Sequence, residues 1–487
     1  MLSRAGETTR GYDSSRILAI THPQVPTAHK TEIVLNNSDK DIYSDGGATS
    51  INFEHYQAVL SYGMRTGTAR TAWAASATHT LDNVRVPTTA NGYQYRCAVA
   101  GTAGSAEPSW PTNLGVRVAD SAVTWEMDGN VGDEYCYHAP LRVRVQKLYS
   151  GRGILRCVLN ATGIPDQLAE DKAESKYTQP PEDTNTIQTL FTAIAGATLA
   201  PYANYTAYTV SYDSTDSIIG TFYPADYFSV SLNENRWDKL EELLGYTSCK
   251  MRMGNDGEIH VFDPNTAGAY DYEYKFNVAG DHTFFNKSTN LRFVNPNREI
   301  VSSMPDQGSF SGSATSATSY ALAPKTHSTY KRLTSNTQAT LIATAKIEQN
   351  ELDAEKGFGT VPMNVGQELW DRVQFTDSRL GDTRDGNIQF LQRNVKIPLG
   401  NEGLTFNMSL SFGKVPGQIM IGGMGEIGEQ VARLSNTQIF SLFDALADTL
   451  EELIDSHNQL VDYLIPGNDV HFNKEYVHEQ MIIPKWS

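Results

Sequence analysis

The chain has 487 residues and a formal net charge of −17, from 39 Lys and Arg against 56 Asp and Glu. A content of 40% hydrophobic and 20% charged residues excludes disorder of the whole chain, and the acidity argues against a nucleic-acid-binding surface, which needs clustered cations. At roughly 150 residues per domain the length predicts about three domains, and no apolar run approaches the roughly 18 residues that cross a bilayer.

The N-terminal part of the chain predicts short strands separated by turns. In the clearest strand, residues 141–146, Leu141, Val143 and Val145 share one face because side chains alternate along a strand. A Gly-containing turn then leads into a second apolar run, which predicts a hairpin. We therefore predict a discontinuous first β domain, residues 1–64 and 131–165.

Residues 65–130 interrupt this pattern. They are rich in Ala, Thr and Gly and contain three of the six tryptophans, Trp73, Trp110 and Trp125. Because loop tips tolerate whole inserted domains, we predict a small β module inserted into the first domain.

Residues 166–300 mix the two periodicities and predict an α+β middle domain. Apolar residues at helical spacing predict helices over 186–197 and 235–245. The turn Asp256-Gly257 lies between two alternating runs and predicts a hairpin.

A low-complexity stretch separates the middle domain from a second β region. Residues 301–330 are rich in Ser, Ala and Thr and predict a linker or loop. A helix is predicted over 339–356, and strands over 373–376 and 404–412 indicate a second β domain, residues 331–430.

Residues 431–487 predict a C-terminal helix and tail. Their apolar residues step alternately by four and three, as in a coiled-coil heptad, with one polar break. The stripe is compatible with an inter-chain coiled coil or with packing on its own domain, and its width favours three strands over two if chains associate. The predicted seam consists of Ile439, Phe443, Leu446, Leu450, Leu453, His457, Leu460 and Leu464.

Signatures of catalysis or metal binding are incomplete. The sequence His478-Glu479-Gln480-Met481-Ile482 starts like a zinc motif but has Ile where the second histidine must bind the metal. Gly308-Ser309-Phe310-Ser311-Gly312 has Phe at the nucleophile position of GxSxG. We predict no enzymatic activity, no catalytic residue, no metal site and no cofactor.

The aromatic residues of the inserted module leave two interpretations open. Tyr93, Tyr95, Trp110 and Trp125 lie near polar groups, and exposed rings of this kind can stack on the apolar faces of sugars. Alternatively the same rings form the core of the module, which has few other large side chains.

Part of this module resembles a small β module that recurs in tailed-phage virion proteins and is described as similar to carbohydrate-binding domains. The resemblance covers about 55 residues. Ala119-Asp120-Ser121 stands where the module more usually has Thr-Asp-Gly. The matching residues are Asn91-Gly92-Tyr93-x-Tyr95, Gly101-Thr102-Ala103-Gly104-Ser105-Ala106-Glu107-Pro108-Ser109-Trp110-Pro111 and Val118-x-Asp120-x-x-Val123-Thr124-Trp125.

Five further stretches, in order, resemble phage tail-tip or baseplate hub proteins. The last of them is similar to the later β domain of such hubs. The stretches are Ala139-Pro140-Leu141-x-Val143, Ser150-Gly151-x-Gly153-x-Leu155, Leu243-Leu244-x-Tyr246-Thr247-x-Cys249, Met253-x-x-Asp256-Gly257-x-Ile259-His260-Val261 and Asn364-Val365-Gly366-Gln367-Glu368-Leu369-Trp370-Asp371-Arg372-Val373-x-Phe375-x-Asp377-x-Arg379-x-Gly381-Asp382.

The resemblance implies a mainly β, α+β multidomain protein with two hub-type β-barrel-like domains. It implies a homotrimer in the virion tail, assembled in the host cytoplasm, that adapts a six-fold tail tube to a three-fold tip and closes or lines the DNA channel. The implied partners are distal tail or tube proteins and tip or fibre proteins, with DNA only as cargo. The alternative is a receptor-binding tail protein that recognises host cell-surface carbohydrate through the module's aromatic rings.

Overall fold

The computed structural model describes residues 1–413 apart from 5–6, 8, 44–50, 152–153, 181, 225–227, 277–281, 290–291, 306–307 and 398–403. Residues 414–487 lie outside the described residues, and with them the predicted C-terminal helix and every position of the predicted seam from Ile439 to Leu464. The coiled coil therefore stays a prediction.

Strands make up most of the regular structure. In chain order they are β1 (Leu2–Ser3), β2 (Ile17–Val25), β3 (Ala28–Asn36), β4 (Gln57–Ala58), β5 (Ser61–Arg65), β6 (Thr78–His79), β7 (Val84–Arg85), β8 (Tyr93–Val99), β9 (Gly101–Thr102), β10 (Arg117–Asp120), β11 (Val123–Asn130), β12 (Asp133–Tyr137), β13 (Leu141–Gly151), β14 (Ile154–Thr162), β15 (Tyr177–Thr178), β16 (Val210–Ser214), β17 (Ser229–Val230), β18 (Lys250–Met253), β19 (Ile259–Phe262), β20 (Tyr272–Phe276), β21 (Asn286–Thr289), β22 (Arg298–Ser303), β23 (Ser311–Thr315), β24 (Thr326–Lys331), β25 (Gly357–Pro362), β26 (Arg372–Asp377), β27 (Asp382–Lys396) and β28 (Thr405–Phe412).

Within the described part of the chain the helices are fewer than the strands and lie mostly in its middle. They are α1 (Ile164–Glu170), α2 (Ile187–Ala195), α3 (Arg236–Leu244), α4 (Ala317–Leu322) and α5 (Asn336–Ala354), with a 3-10 turn at Ala200–Tyr202. The predicted helices over 186–197, 235–245 and 339–356 are confirmed as α2, α3 and α5. Thr186 and Asn235 cap α2 and α3, since each side chain accepts a backbone N–H of the first turn. No described helix combines the length and apolar content that a membrane span needs.

One large sheet contains strands from both predicted β domains. Its order is β1-β4-β13-β14-β3-β2-β27-β28-β25-β21, with β26 also beside β27 and β20 beside β26. The junction is the antiparallel pair β2–β27, which runs from Ala19 opposite Lys396 to Gln24 opposite Leu391. The two β regions also share one apolar cluster, which includes Leu35 and Leu410. The two β regions, which were expected to form separate domains, thus belong to one sheet, because β2 comes from the first region and β27 from the second.

The segment between β5 and β12 forms a smaller β unit. These two strands pair antiparallel, with Arg65 opposite Asp133, so the chain leaves the large sheet and returns to it at neighbouring points. Between them lie a sheet of order β10-β11-β8-β7 and an apolar cluster of its own. This arrangement is what an insertion into the first β region produces.

The prediction that residues 301–330 form a linker or loop is wrong. Strand β22 pairs with both β23 and β24, and α4 lies in the same stretch. The small residues of β23 allow this strand to pack closely on α5. A Cβ atom added at Gly312 would lie 2.3 Å from the backbone N of Thr340, so only glycine fits there. Helix α5 then packs in the middle cluster through Ala339 and Ile342, although it was expected within the second β domain.

The mainly β fold class is confirmed, with several sheets and a helical minority. The hairpins predicted around residues 141–159 and 249–262 form as β13–β14 and β18–β19. The four cysteines are unbonded, and three of them are buried. The boundaries of the individual domains stay a prediction.

Candidate functional site

The inserted module holds the four aromatic residues predicted to bind carbohydrate. Tyr93 and Tyr95 lie on β8, Trp125 on β11, and Trp110 on the segment between β9 and β10. The rings of Tyr95 and Trp110 lie 4.3 Å apart between centroids, and those of Trp110 and Trp125 lie 5.9 Å apart. Three of the four rings therefore form one contiguous group.

Two of these rings are core residues. Tyr95 and Trp125 both have an exposed fraction of 0%, so neither face of either ring is available to a sugar. The expectation that they contact carbohydrate is wrong for this arrangement, and for these two residues the core interpretation applies. Tyr93 and Trp110 are half-buried and keep part of their surface in solvent.

The Trp110 side chain is fixed by its neighbours. Its indole Nε1 donates to Glu107 Oε1 at 2.8 Å, and the Thr88 N–H donates to the same oxygen at 2.8 Å. The hydroxyl of Tyr95, the ring next to Trp110, donates to the carbonyl of Pro111 at 2.8 Å. A half-exposed indole held in this way loses little conformational entropy when a ligand packs against it.

Asp120 is the polar centre of the module. Its Oδ2 accepts hydrogen bonds from the indoles of Trp73 at 2.8 Å and Trp125 at 2.9 Å, and its Oδ1 accepts the Gly104 N–H at 2.8 Å. The carboxylate is buried. It thereby holds β10, β11 and the loop after β9 together, since three separate donors depend on it.

A buried ion pair lies on the other face of the same sheet. Arg96 contacts Glu126 at 2.8 Å and Asp82 at 2.7 Å, and Glu126 also contacts Arg117 at 2.6 Å. Asp82 in turn accepts a hydrogen bond of 2.6 Å from Asn255 of the β18–β19 turn, which links the module to the middle region.

Sequence reasoning assigned no role to Asp120, Arg96 or Glu126. Asp120 was part of the resemblance, and Glu126 alternates with the apolar residues of β11, a pattern that predicts a solvated side chain. The available signal was that Arg96 alternates in the same way with Tyr95 and Cys97 on β8. Opposite charges on paired strands favour an ion pair, although they do not indicate its burial.

A second cluster of titratable groups surrounds His260 on β19. Its Nδ1 lies 2.9 Å from Asp213 and its Nε2 lies 3.0 Å from Asp256. Asp256, Glu258 and His260 form a group close enough to hold a metal ion. Both ring nitrogens already contact carboxylates, so charge pairing explains the cluster, and its acids do not by themselves define a metal site.

A third polar group lies inside the β2–β27 junction. His22 is paired in register with Arg393, and both side chains are fully buried. Tyr62 Oη lies 3.3 Å from His22 Nδ1, and Arg393 donates to Gln24 Oε1 at 2.6 Å. Burial, reinforced by Arg393, lowers the pKa of His29 to about 4 and that of His22 well below its usual value. The histidines are therefore neutral near pH 7.

Comparisons with known proteins show no family, and the similar solved structures, among them three tail proteins, are distant. No family model and no curated protein matches the sequence. A tail protein from Neisseria meningitidis MC58 is 8% identical with a TM-score of 0.47, covering 81% of this chain and 91% of its own. The 43 kDa tail protein of prophage MuSo2 from Shewanella oneidensis is 9% identical with a TM-score of 0.43, covering 84% and 96%.

Prophage tail protein gp18 from Listeria monocytogenes EGD-e is likewise 9% identical with a TM-score of 0.43, covering 85% of this chain and 93% of its own. These three structures are described as tail proteins, two of them from prophages. A likeness this distant concerns the path of the chain and carries no function with it.

Replacement of Asp120 tests the polar centre of the module. We expect Asp120→Ala to lower the free energy of unfolding by on the order of 3 kcal/mol, because buried N–H groups lose their acceptor. Denaturation followed by tryptophan fluorescence measures it. In the control Asp39→Ala, a half-exposed carboxylate paired with Arg16 at 2.8 Å is lost, and we expect a loss of under about 1 kcal/mol. Equal losses in both variants would contradict the assignment.

The His260 cluster predicts a pH-dependent contribution to stability. Hydrogen bonding to Asp256 above all, and then to Asp213, raises the pKa of His260 to about 9. The unfolded histidine has a pKa of about 6.5, so the contribution is complete below about pH 6.5 and is lost as the pH rises through about 9. We expect His260→Gln to lower the melting temperature at pH 6 and to change it little at pH 10.

Exposed His282 supplies the control, since His282→Gln is expected to leave the melting temperature unchanged at both pH values. A reduction by His260→Gln that is equally large at pH 6 and pH 10 would show that the imidazolium is not the stabilising species.

Proposed function

We propose that this chain is a structural virion protein of a phage tail tip or baseplate, without enzymatic activity. In this proposal it forms a homotrimeric hub that adapts the six-fold tail tube to the three-fold tip and closes or lines the DNA channel. The observation that carries the proposal is the β2–β27 pairing, which joins two β regions in one sheet. Three chains, each with two rigidly joined β regions, would present six units to a six-fold partner.

The residues that carry the hub resemblance support an architectural role. Within residues 364–382, Gln367, Trp370 and Asp377 are buried. The Trp370 indole donates to the Met251 carbonyl at 3.3 Å, which ties the large sheet to the middle region. The stretch thus forms framework contacts, as a scaffold requires.

The proposal places the protein in the virion, assembled in the host cytoplasm, with distal tail or tube proteins and tip or fibre proteins as partners. DNA would pass only as cargo. The net charge of −17 fits this role, because acidic side chains facing a channel would repel the DNA backbone.

Solution mass tests the homotrimer. We expect light scattering to give a trimer for the full chain and a smaller species for a chain ending at Gly428, because the truncation removes the predicted seam. A full chain that is monomeric at every concentration tested would contradict the trimer, and a truncated chain that stays trimeric would contradict the coiled seam.

A second function, recognition of host cell-surface carbohydrate, is favoured by the half-buried Trp110 and Tyr93. Here the ring of Trp110, fixed by Glu107, would supply the stacking surface. We expect glycan-array binding by the full chain and at least a tenfold loss in Trp110→Ala. Tyr330→Ala removes a ring that is 60% exposed outside the module and should leave binding unchanged. A native chain that binds no glycan would exclude this function.

A further inference from the structure

A cavity of about 410 Å³ lies between α5, the C-terminal end of α3 and the strands β22 and β24. Helix α5 contributes Lys346, Gln349 and Asn350, which share one face because they are spaced by three and four residues. The strands contribute Glu299 and His327, which are register partners in the parallel pair β22–β24. The volume falls within the roughly 300–1,000 Å³ of small-molecule sites.

Lys346 is a half-buried cation that forms no salt bridge and no hydrogen bond with any described residue. A second cation lies near it, since burial above all, and then repulsion by Lys346, lowers the pKa of Lys331 to about 8. Two lysines that repel each other leave this place short of negative charge, although the whole chain has a net charge of −17. An anionic group bound in the cavity would supply that charge.

The carboxylate that lines the cavity is already engaged. Glu299 is 3% exposed, and its carboxylate lies 3.0 Å from Nδ1 of His327 and accepts a hydrogen bond of 3.4 Å from Nδ2 of Asn350. The contact at Nδ1 leaves Nε2 as the ring nitrogen of His327 without a partner in the described part of the chain. Glu299 therefore positions two side chains of the cavity and does not neutralise Lys346.

Two amide oxygens of the cavity can accept hydrogen bonds from a ligand. Nδ2 of Asn350 donates to the Pro296 carbonyl at 3.2 Å. Nε2 of Gln349 donates to the Leu244 carbonyl at 2.9 Å and also to the Thr247 carbonyl. These acceptors identify the amide nitrogens, so the remaining amide atoms are oxygens, and no described residue donates to them. A hydroxyl group is a donor that such oxygens bind.

We propose that this cavity binds a hydroxylated anion of monosaccharide size, with its acidic group on Lys346 and its hydroxyl groups on Asn350 and Gln349. An acidic sugar and a sugar phosphate share this chemistry, because each joins one anionic group to several hydroxyls. Both parts are needed, since an anion alone leaves the amide oxygens unpaired and a neutral sugar leaves the lysine unpaired. The site goes beyond the proposed hub and lies outside the inserted module.

Ligand-observed NMR titration of the full chain tests the ligand class. We expect glucuronate or glucose 6-phosphate to bind at least about tenfold more tightly than glucose, acetate and inorganic phosphate, each of which lacks one part of the ligand. The tighter of the two acids identifies the anionic group. A native chain that binds neither acid, or that binds any of the three fragments as tightly, would overturn the proposal.

A second experiment tests Lys346 itself. Lys346→Met removes the ammonium group and keeps an apolar side chain of similar length, and we expect it to weaken binding of the tighter acid at least about tenfold. Lys325→Met, at an exposed lysine, makes the same change of net charge and should leave binding unchanged. Circular dichroism checks that both variants keep the fold. Equal losses in the two variants would show a general effect of charge and would overturn the site.

The outcomes separate this inference from the proposed function. A trimeric full chain that binds neither acid overturns the cavity site and leaves the hub standing. A monomeric full chain that binds an acid through Lys346 overturns the hub and leaves the cavity site standing. Trp110→Ala should not change binding of the acid, and a loss in this variant would move the site to the inserted module and overturn the proposal.

Discussion

The rest of the large sheet depends on the pairing of β2 with β27. Without it the N-terminal strands and the C-terminal strands would each end in an open edge, and the shared apolar cluster would be divided between them. The pairing also constrains the protonation state of a histidine, because it places His22 directly opposite Arg393 inside the protein. Two cations directly opposite each other are destabilising, so the junction is compatible only with a neutral histidine. Burial provides that condition by lowering the histidine pKa.

The inserted module follows a different physical logic from the large sheet. Its apolar cluster is small, and buried polar groups supply much of its cohesion through Asp120 and the Arg96–Glu126 pair. The carboxylate of Asp120 alone serves two indoles and a backbone N–H, so three donors from different segments share one acceptor group. Core and candidate ligand surface are consequently coupled, since Trp110 packs on the buried ring of Tyr95.

Local structure was largely predictable and long-range organisation was not. Helices α2 and α3 carry capping residues and an apolar stripe, and the β13 and β19 strands alternate clearly, so neighbouring residues define them. The β2–β27 pairing could not be predicted, because nothing local to either strand specifies the other. Small residues at 311–315 indicated flexibility, although their size serves the close approach of β23 to α5. In the module, four rings were predicted as one binding surface, but Tyr95 and Trp125 are buried whereas Tyr93 and Trp110 are partly exposed. Periodicity along one strand does not reveal this difference in burial.

The length of the β2–β27 connection affects how the chain is made. Gln24 and Arg393, which bond across the junction, are 369 residues apart in the sequence. At roughly 5–20 residues per second, a ribosome needs roughly 20–70 s to synthesise the intervening chain. During that time β2 has its partner β3 but lacks β27, so one edge of the nascent sheet is open. An open edge can pair with other chains, so synthesis rate and chaperone supply would affect the yield of folded protein.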